Sequence, residues 1–313
     1  MKRILITTSS FDASDNPALA RIASAGFEVM LNPHGRRLTE DEVTELLDND
    51  VVGMIAGVEP LTRRVLTGAK SLRIIARAGI GLDSVDLGAA KELGITVSNT
   101  PQAPVAAVAE LTVTLMLDLL REVSAADRDL RSGIWKPRMG HLLSAQTVGL
   151  IGFGRIGRAV ADLLLPFGCK IQTYDPSYAG DVETVSAVSL EYLLKDSNLV
   201  SLHLPYDEST RHLINDERLA CMRAGAWLIN ASRGGLVDEA ALARALSTGR
   251  LAGAALDTFE AEPYRGPLAS LGNVVLTCHM GSYAIEGRAR MEREAAENLV
   301  LGLAAAGLVP DAT

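Results

Sequence analysis

The chain has 313 residues, 48% of them hydrophobic and only 4% aromatic, which is enough for two domains with aliphatic cores. Its formal net charge of −8, with no block of basic residues, argues against a nucleic-acid groove or an anionic membrane surface. No apolar run approaches the ~18 residues of a membrane span, and the start MKRILITTSS reads as a first strand rather than a signal peptide. The three cysteines, Cys169, Cys221 and Cys278, lie far apart without metal-ligand spacing, so a reducing, cytoplasmic setting without a metal site is expected.

The first hundred residues alternate strand and helix. Strands are predicted at 4–7, 28–31, 51–56, 72–76 and 95–98, with helices at 17–25, 39–47, 62–66 and 85–93 between them. Thr39-Glu40-Asp41-Glu42 is a capping box that opens the second of these helices. Alternation of this kind predicts a parallel sheet covered by helices on both faces. This half has no GxGxxG; its glycine loop, Gly79-Ile80-Gly81, follows a strand, where open α/β sheets bind ligands. Residues 99–104 form a Pro-containing turn and a candidate hinge. The helix predicted over 105–121 is apolar nearly all round, which fits either a core helix or a subunit interface. Residues 131–141 read as a loop.

The stretch 147–158, TVGLIGFGRIGR, is the most specific in the chain. An apolar strand runs directly into Gly152-Phe153-Gly154-Arg155-Ile156-Gly157, and an apolar helical pattern begins there, the context a dinucleotide-binding motif requires. Gly152 allows the tight turn, Gly154 lets a pyrophosphate approach the backbone, and Gly157 lets the helix pack on the strand. Arg155 and Ile156 open the helix, whose N-terminus favours the phosphates. A second strand, 169–174, ends in Asp175, about 20 residues past the glycines, where an acid hydrogen-bonds ribose hydroxyls and repels a 2′-phosphate. The expected cofactor is therefore NAD.

The alternation then resumes, with helices at 190–194, 216–221 and 238–246, strands at 199–202, 226–229, 252–256 and 274–277, and a long final helix at 284–303. Three strand ends gather polar residues suited to hydride transfer. Arg233 in Asn230-Ala231-Ser232-Arg233-Gly234-Gly235 has a planar fork able to grip a carboxylate. Asp257-Thr258-Phe259-Glu260-Ala261-Glu262-Pro263 supplies carboxylates. His279, in Cys278-His279-Met280-Gly281-Ser282, ends an apolar strand before a glycine. His34, His141 and His212 read as structural, and His203, at a strand end, as facing the cofactor without doing chemistry.

The order GxGxxG, Asp175, NASRG, DTFEAEP and His279, with RAGIGLDSVDL at 77–87 and Val108-Ala109-Glu110, resembles the D-isomer-specific 2-hydroxyacid dehydrogenases over essentially the whole chain, most of all the phosphoglycerate dehydrogenase-like branch. The resemblance implies an α/β protein of two doubly wound parallel-sheet domains. A Rossmann NAD-binding domain (99–282) would be inserted in a smaller flavodoxin-like substrate domain (1–98 and the returning helix 283–313), the two closing over the substrate. It implies His279 as general acid/base, Glu262 as its partner, and Arg233 as the group that binds the carboxylate and polarises the C2 oxygen. Gly79, Ile80 and Gly81 would form the loop whose amides hold that carboxylate. Ile80, Leu204, Ala231, Asp257 and Ser282 would touch the cofactor, with Asp257 accepting from the carboxamide. It also implies a homodimer through the 105–121 helix. A histidine has the pKa range for this proton transfer, a carboxylate beside it favours imidazolium, and a cation near a developing alkoxide stabilises its charge.

Within the branch, an arginine for phosphate commonly stands where this chain has Ala56, and Glu59 adds a nearby negative charge; both count against phosphoglycerate, leaving glyoxylate and hydroxypyruvate beside it. Arg138 or Lys136 offers another anion contact. Cys278 replaces the family's usual proline, and Ser282-Tyr283 its usual small residues. Glu262 disfavours formate dehydrogenase, which has an amide there. No regulatory extension is expected after the last helix. The alternatives are a non-catalytic NAD(H) sensor on the same fold, which can keep the same Arg, Glu and His, and, remotely, a methyltransferase, which gives His279 no role.

Overall fold

The computed structural model describes residues 1–9, 11–12, 16–178 and 180–309. The chain forms two compact units, Met1–Pro104 with Ala284–Thr313, and Val105–Tyr283.

The smaller unit runs β1 (Arg3–Ile6), α1 (Pro17–Ser24), β2 (Glu28–Leu31), α2 (Glu40–Leu46), β3 (Val51–Ala56), α3 (Arg63–Gly68), β4 (Ile74–Arg77), α4 (Leu87–Glu92) and β5 (Thr96–Asn99). All pairings are parallel, in the order β2-β1-β3-β4-β5, the flavodoxin-like arrangement. β3 is buried at all six positions and β4 at all four, as expected of strands covered on both faces. The capping box forms as expected: the Thr39 hydroxyl accepts from Glu42 N–H, and the Glu42 carboxylate accepts from Thr39 N–H at 2.8 Å.

The larger unit contains α5 (Val105–Arg121), α6 (Val123–Arg131), β6 (Thr147–Ile151), α7 (Arg155–Leu164), β7 (Lys170–Tyr174), β8 (Val185–Ala187), α8 (Leu190–Asp196), β9 (Leu199–Leu202), α9 (Asp216–Cys221), β10 (Ala226–Asn230), α10 (Glu239–Ser247), β11 (Leu251–Leu256) and β12 (Val274–Leu276). Its seven parallel strands lie in the order β12-β11-β10-β9-β6-β7-β8, a doubly wound sheet whose order reverses between β6 and β9. The last helix, α11 (Ile285–Ala305), belongs to the smaller unit, where Met291, Ala295, Leu299 and Leu303 join the core around Ile4 and Ile74.

Two elements lay outside the sequence reading. α6 buries none of its nine residues and has no side-chain cap, so it carries neither a core stripe nor a start signal. β8 is a three-residue edge strand with only Val185 buried. α5 resolves the choice left open for it in part. Ala109, Val113, Met116 and Leu120 pack with Val148, Leu150, Val160 and Leu164 in the core of its own unit.

Candidate active site

β10, β11 and β12 are neighbours in one parallel sheet, so the turns at their carboxyl ends lie side by side. Hydrogen bonds join them in series. Asp257 N–H donates to Asn230 carbonyl at 2.9 Å, and His279 N–H donates to Asp257 carbonyl at 2.7 Å. Fully buried Asn230 folds the first turn: its amide donates to Arg233 carbonyl at 2.9 Å, and its oxygen accepts from Ser232 N–H at 3.1 Å. Gly234 then presses on the Phe259–Glu260 backbone so closely that a Cβ would overlap it. This contact fuses the Arg233 turn to the turn carrying Glu262. The Arg233 guanidinium donates to Ser232 carbonyl at 2.8 Å.

His279 and Glu262 meet. Both carboxylate oxygens lie against His279 Nδ1, at 3.0 and 2.9 Å, and one of them also accepts from Phe259 N–H at 3.2 Å. The imidazole side chain remains 38% exposed, so its other nitrogen, Nε2, is the one left to meet a ligand. His279 holds a left-handed backbone, φ 53°, uncommon for a residue with a side chain. Buried Asp257 imposes it: its carboxylate accepts from the Thr277 hydroxyl at 2.6 Å and from Met280 and Gly281 N–H at 2.8 Å each. In the protein alone, then, Asp257 serves the turn that presents His279, a role its place at a strand end did not reveal. Asn230 and Thr277 were likewise unforeseen; the available signal was a polar residue where a buried strand stops.

The glycine turn after β6 has the form its sequence predicts. Gly152 has φ 97°, and a Cβ there would sit 2.6 Å from the His203 carbonyl oxygen. Around Gly154, the residue before α7, a Cβ would meet nothing within 4 Å, leaving the open approach a pyrophosphate needs. Arg155 and Ile156 begin α7, and buried Gly157 packs against the Gly152 carbonyl. Asp175 stands just past β7 and accepts from Phe153 N–H at 2.7 Å and from Ser177 N–H at 2.8 Å. Leu204 lines the turn beside Gly152, its carbonyl accepting from the Ser232 hydroxyl at 2.6 Å. Ala231 is buried after β10, and Ser282 is half-buried after the His279 turn. His203 ties the turn to the sheet through its N–H, 2.7 Å from the Ile151 carbonyl. Its Nε2 is buried without a hydrogen-bond partner among the described residues, and burial pushes its pKa down to about 4.

In the smaller unit, the loop after β4 departs from expectation at one position. Gly79 N–H donates to the Thr100 hydroxyl at 2.8 Å, so it is not available to a carboxylate. Ile80 and Gly81 N–H have no protein acceptor among the described residues, and the Ile80 carbonyl is held by Asn99 at 2.7 Å. Glu59 is 1% exposed and accepts from the Thr7 hydroxyl and from Gly57 N–H at 3.1 Å, and burial pushes its carboxyl pKa up. Ala56 is buried as the last residue of β3. Arg138, expected near an anion, pairs with Glu122 and Asp129. No helix among the described residues is long and apolar enough to cross a membrane.

Comparison with known proteins gives the family. Residues 113–281 match the family described as D-isomer specific 2-hydroxyacid dehydrogenase, NAD binding domain. A hydroxypyruvate reductase of Thermotoga maritima is 42% identical over 84% of this chain and 88% of its own length. A glyoxylate reductase of Thermofilum pendens is 41% identical over 83% of this chain and 80% of its own. The crystal structure of the TT0316 protein from Thermus thermophilus superposes with a TM-score of 0.89 at 38% identity, covering 97% of each chain. The chain belongs to the D-isomer-specific 2-hydroxyacid dehydrogenases, NAD-dependent oxidoreductases.

Proposed function

We propose that this enzyme reduces a small 2-oxo acid, glyoxylate or hydroxypyruvate, to the 2-hydroxy acid, with His279, Glu262 and Arg233 as its catalytic residues. The observation that carries the reading is the two-oxygen contact of Glu262 with His279 Nδ1. Glu262 fixes the ring through Nδ1, which leaves Nε2 to pass a proton to the substrate oxygen as C2 is reduced. Bound NADH supplies the hydride. Arg233 offsets the charge developing on the C2 oxygen and grips the carboxylate. Ile80 and Gly81 N–H provide the further carboxylate donors that Gly79 does not. Gly152, Gly154, Arg155, Ile156, Gly157, Asp175, Leu204, Ala231 and Ser282 bind the cofactor, and Asp257, whose carboxylate serves the His279 turn, keeps one lone pair for the carboxamide. The high coverage of the hydroxypyruvate and glyoxylate reductases supports the choice of a short substrate. The test is NADH oxidation with glyoxylate, hydroxypyruvate, pyruvate, 2-oxoglutarate and phosphohydroxypyruvate. The first two should be turned over fastest. Tight NADH binding with no turnover of any of them would replace the enzyme with a sensor.

We also propose that the chain forms a homodimer in the cytoplasm. Four exposed apolar side chains follow one another along α6 and the loop behind it: Leu130, Trp135 (85% exposed), Met139 (92%) and Leu142. A second copy is the occupant that the family resemblance implies. Light scattering should give twice the chain mass, and Trp135→Glu with Met139→Glu should halve it; a monomeric wild type would remove the proposal.

A further inference from the structure

The turn that carries Glu262 is braced by two residues the proposed chemistry does not use. Glu239 is the first residue of α10, and Asp238 before it caps the helix, accepting from Ala241 N–H at 2.9 Å. An acid in a first helical turn ordinarily answers the helix dipole. Here the Glu239 carboxylate accepts from Glu260 N–H at 2.7 Å, beside the Phe259 N–H that Glu262 holds at 3.2 Å. His212, read from the sequence as structural, meets the same residue from another segment. Its Nε2 lies 2.8 Å from a Glu260 carboxylate oxygen. Its own N–H donates to Gly235 carbonyl at 2.8 Å, in the turn that carries Arg233. Ile214 N–H to Leu236 carbonyl at 2.9 Å and Asp238 N–H to Ile214 carbonyl at 3.0 Å continue that seam. His212 has a left-handed backbone, φ 46°, which glycine would adopt more easily. What the imidazole adds there is its bond to Glu260.

We infer that His212 and Glu239 are positioning residues for the proposed reaction: acting through Glu260, they hold the turn of Glu262 in register with the turn of Arg233. The inference rests on the proposed roles of Arg233, Glu262 and His279. It answers a geometric need. Arg233 and Glu262 stand on turns after two different strands, β10 and β11, and Asp257, which opens the second turn, gives its carboxylate to the His279 turn. Gly234 packs on the Phe259–Glu260 backbone and sets the spacing of the two turns, but a packing contact has no direction. Hydrogen bonds do. One at the Glu260 amide and one at its carboxylate fix that residue at both ends, two positions before Glu262. The His212–Glu260 contact is partly exposed, with side chains 34% and 41% accessible, so its share is the smaller. Glu262 holds the His279 ring, and a shift of about 1 Å in a reacting group is enough to slow chemistry strongly.

The test is steady-state kinetics with NADH and glyoxylate or hydroxypyruvate in ordinary and heavy water, with NADH binding measured by fluorescence and thermal unfolding followed for each variant. Glu239→Ala should lower kcat about tenfold, with NADH affinity and the oxo acid KM within about twofold. Glu239→Gln keeps an oxygen for the Glu260 N–H and should recover most of that loss. His212→Gly removes the ring and suits the left-handed backbone, so it should lower kcat about threefold with little change in melting temperature. In Glu239→Ala and His212→Gly the solvent isotope effect on kcat should rise, because the proton leaves a misaligned Nε2. A merely structural role would reduce the amount of folded enzyme and leave that isotope effect where it was. An unchanged kcat in either variant, a loss without a larger isotope effect, or a Glu239→Gln as slow as Glu239→Ala would overturn the inference. Should Glu239→Ala not fold, His212→Gly decides. Normal wild-type turnover with unimpaired variants strikes the inference alone, whereas absence of wild-type turnover with every oxo acid strikes the proposed function and the inference with it.

Discussion

In the larger unit, the Phe153 N–H inside the glycine turn after β6 is donated to Asp175, just past the neighbouring strand β7; in the smaller, the Gly79 N–H after β4 goes to Thr100, just past its neighbour β5. Both turns are thus pinned by a polar residue one strand over. The chain beyond each turn differs. α7 starts at Arg155, inside the motif, so its free N–H groups and dipole face the opening around Gly154. The loop at Gly79 runs on to Leu87 before a helix starts, and the Arg77 guanidinium lies against Gly79. Two parallel sheets of one class thus follow their glycine turns differently, one with a helix N-terminus and one with an extended loop beside a buried guanidinium.

Perturbing each side of this comparison tests it, and the largest effect should lie in neither glycine turn. His279→Ala should lower turnover by roughly two orders of magnitude or more while NADH binding persists in a fluorescence titration. Turnover at the wild-type rate would take the imidazole out of the chemistry and leave the glycine turns as the centre of function. Next comes the dipole-based turn. Gly157→Val puts a side chain into the Gly152 carbonyl, so NADH affinity should fall about tenfold or more, and unchanged affinity would show that helix packing does not shape the cofactor site. Asp175→Ala should act more gently, weakening NAD binding severalfold and relaxing the preference over NADP; a preference that stays intact means another group sets it.

The smallest effect concerns stability. His203 has its pKa depressed to about 4 by burial beside the larger unit's turn, against about 6.5 for an unfolded chain. Between those values the unfolded state binds more protons, so stability should fall as pH drops from about 6.5 towards 4, by at most about 3 kcal/mol, and should not respond above that window. Chemical denaturation across this range should show the slope in the wild type and a flatter one in His203→Leu. Equal slopes would assign the acid sensitivity to other groups.

How much of this was visible beforehand depended on the range of the interaction. Strand-helix alternation, the capping box at Thr39 and the β6–turn–α7 unit are written in neighbouring residues, and they formed close to where they were expected. The ordered motifs also located Arg233, Glu262 and His279 at three strand ends. Helix α6 was missed because it buries nothing. The burial of Glu59 was missed because its partner Thr7 lies 52 positions away and becomes a neighbour only when β3 pairs with β1.

By itself, the sequence determined the element types, the class of both sheets, the dinucleotide turn and which side chains end which strands, because backbone propensity and apolar period act over a few residues. Only the tertiary structure decided that Gly79 gives its N–H to Thr100, that Asp257 holds the His279 turn, and that Glu59 turns its carboxyl group inward to Thr7. Each is a choice of hydrogen-bond partner on an adjacent strand, and strand adjacency is a property of sheet order, which no local pattern encodes.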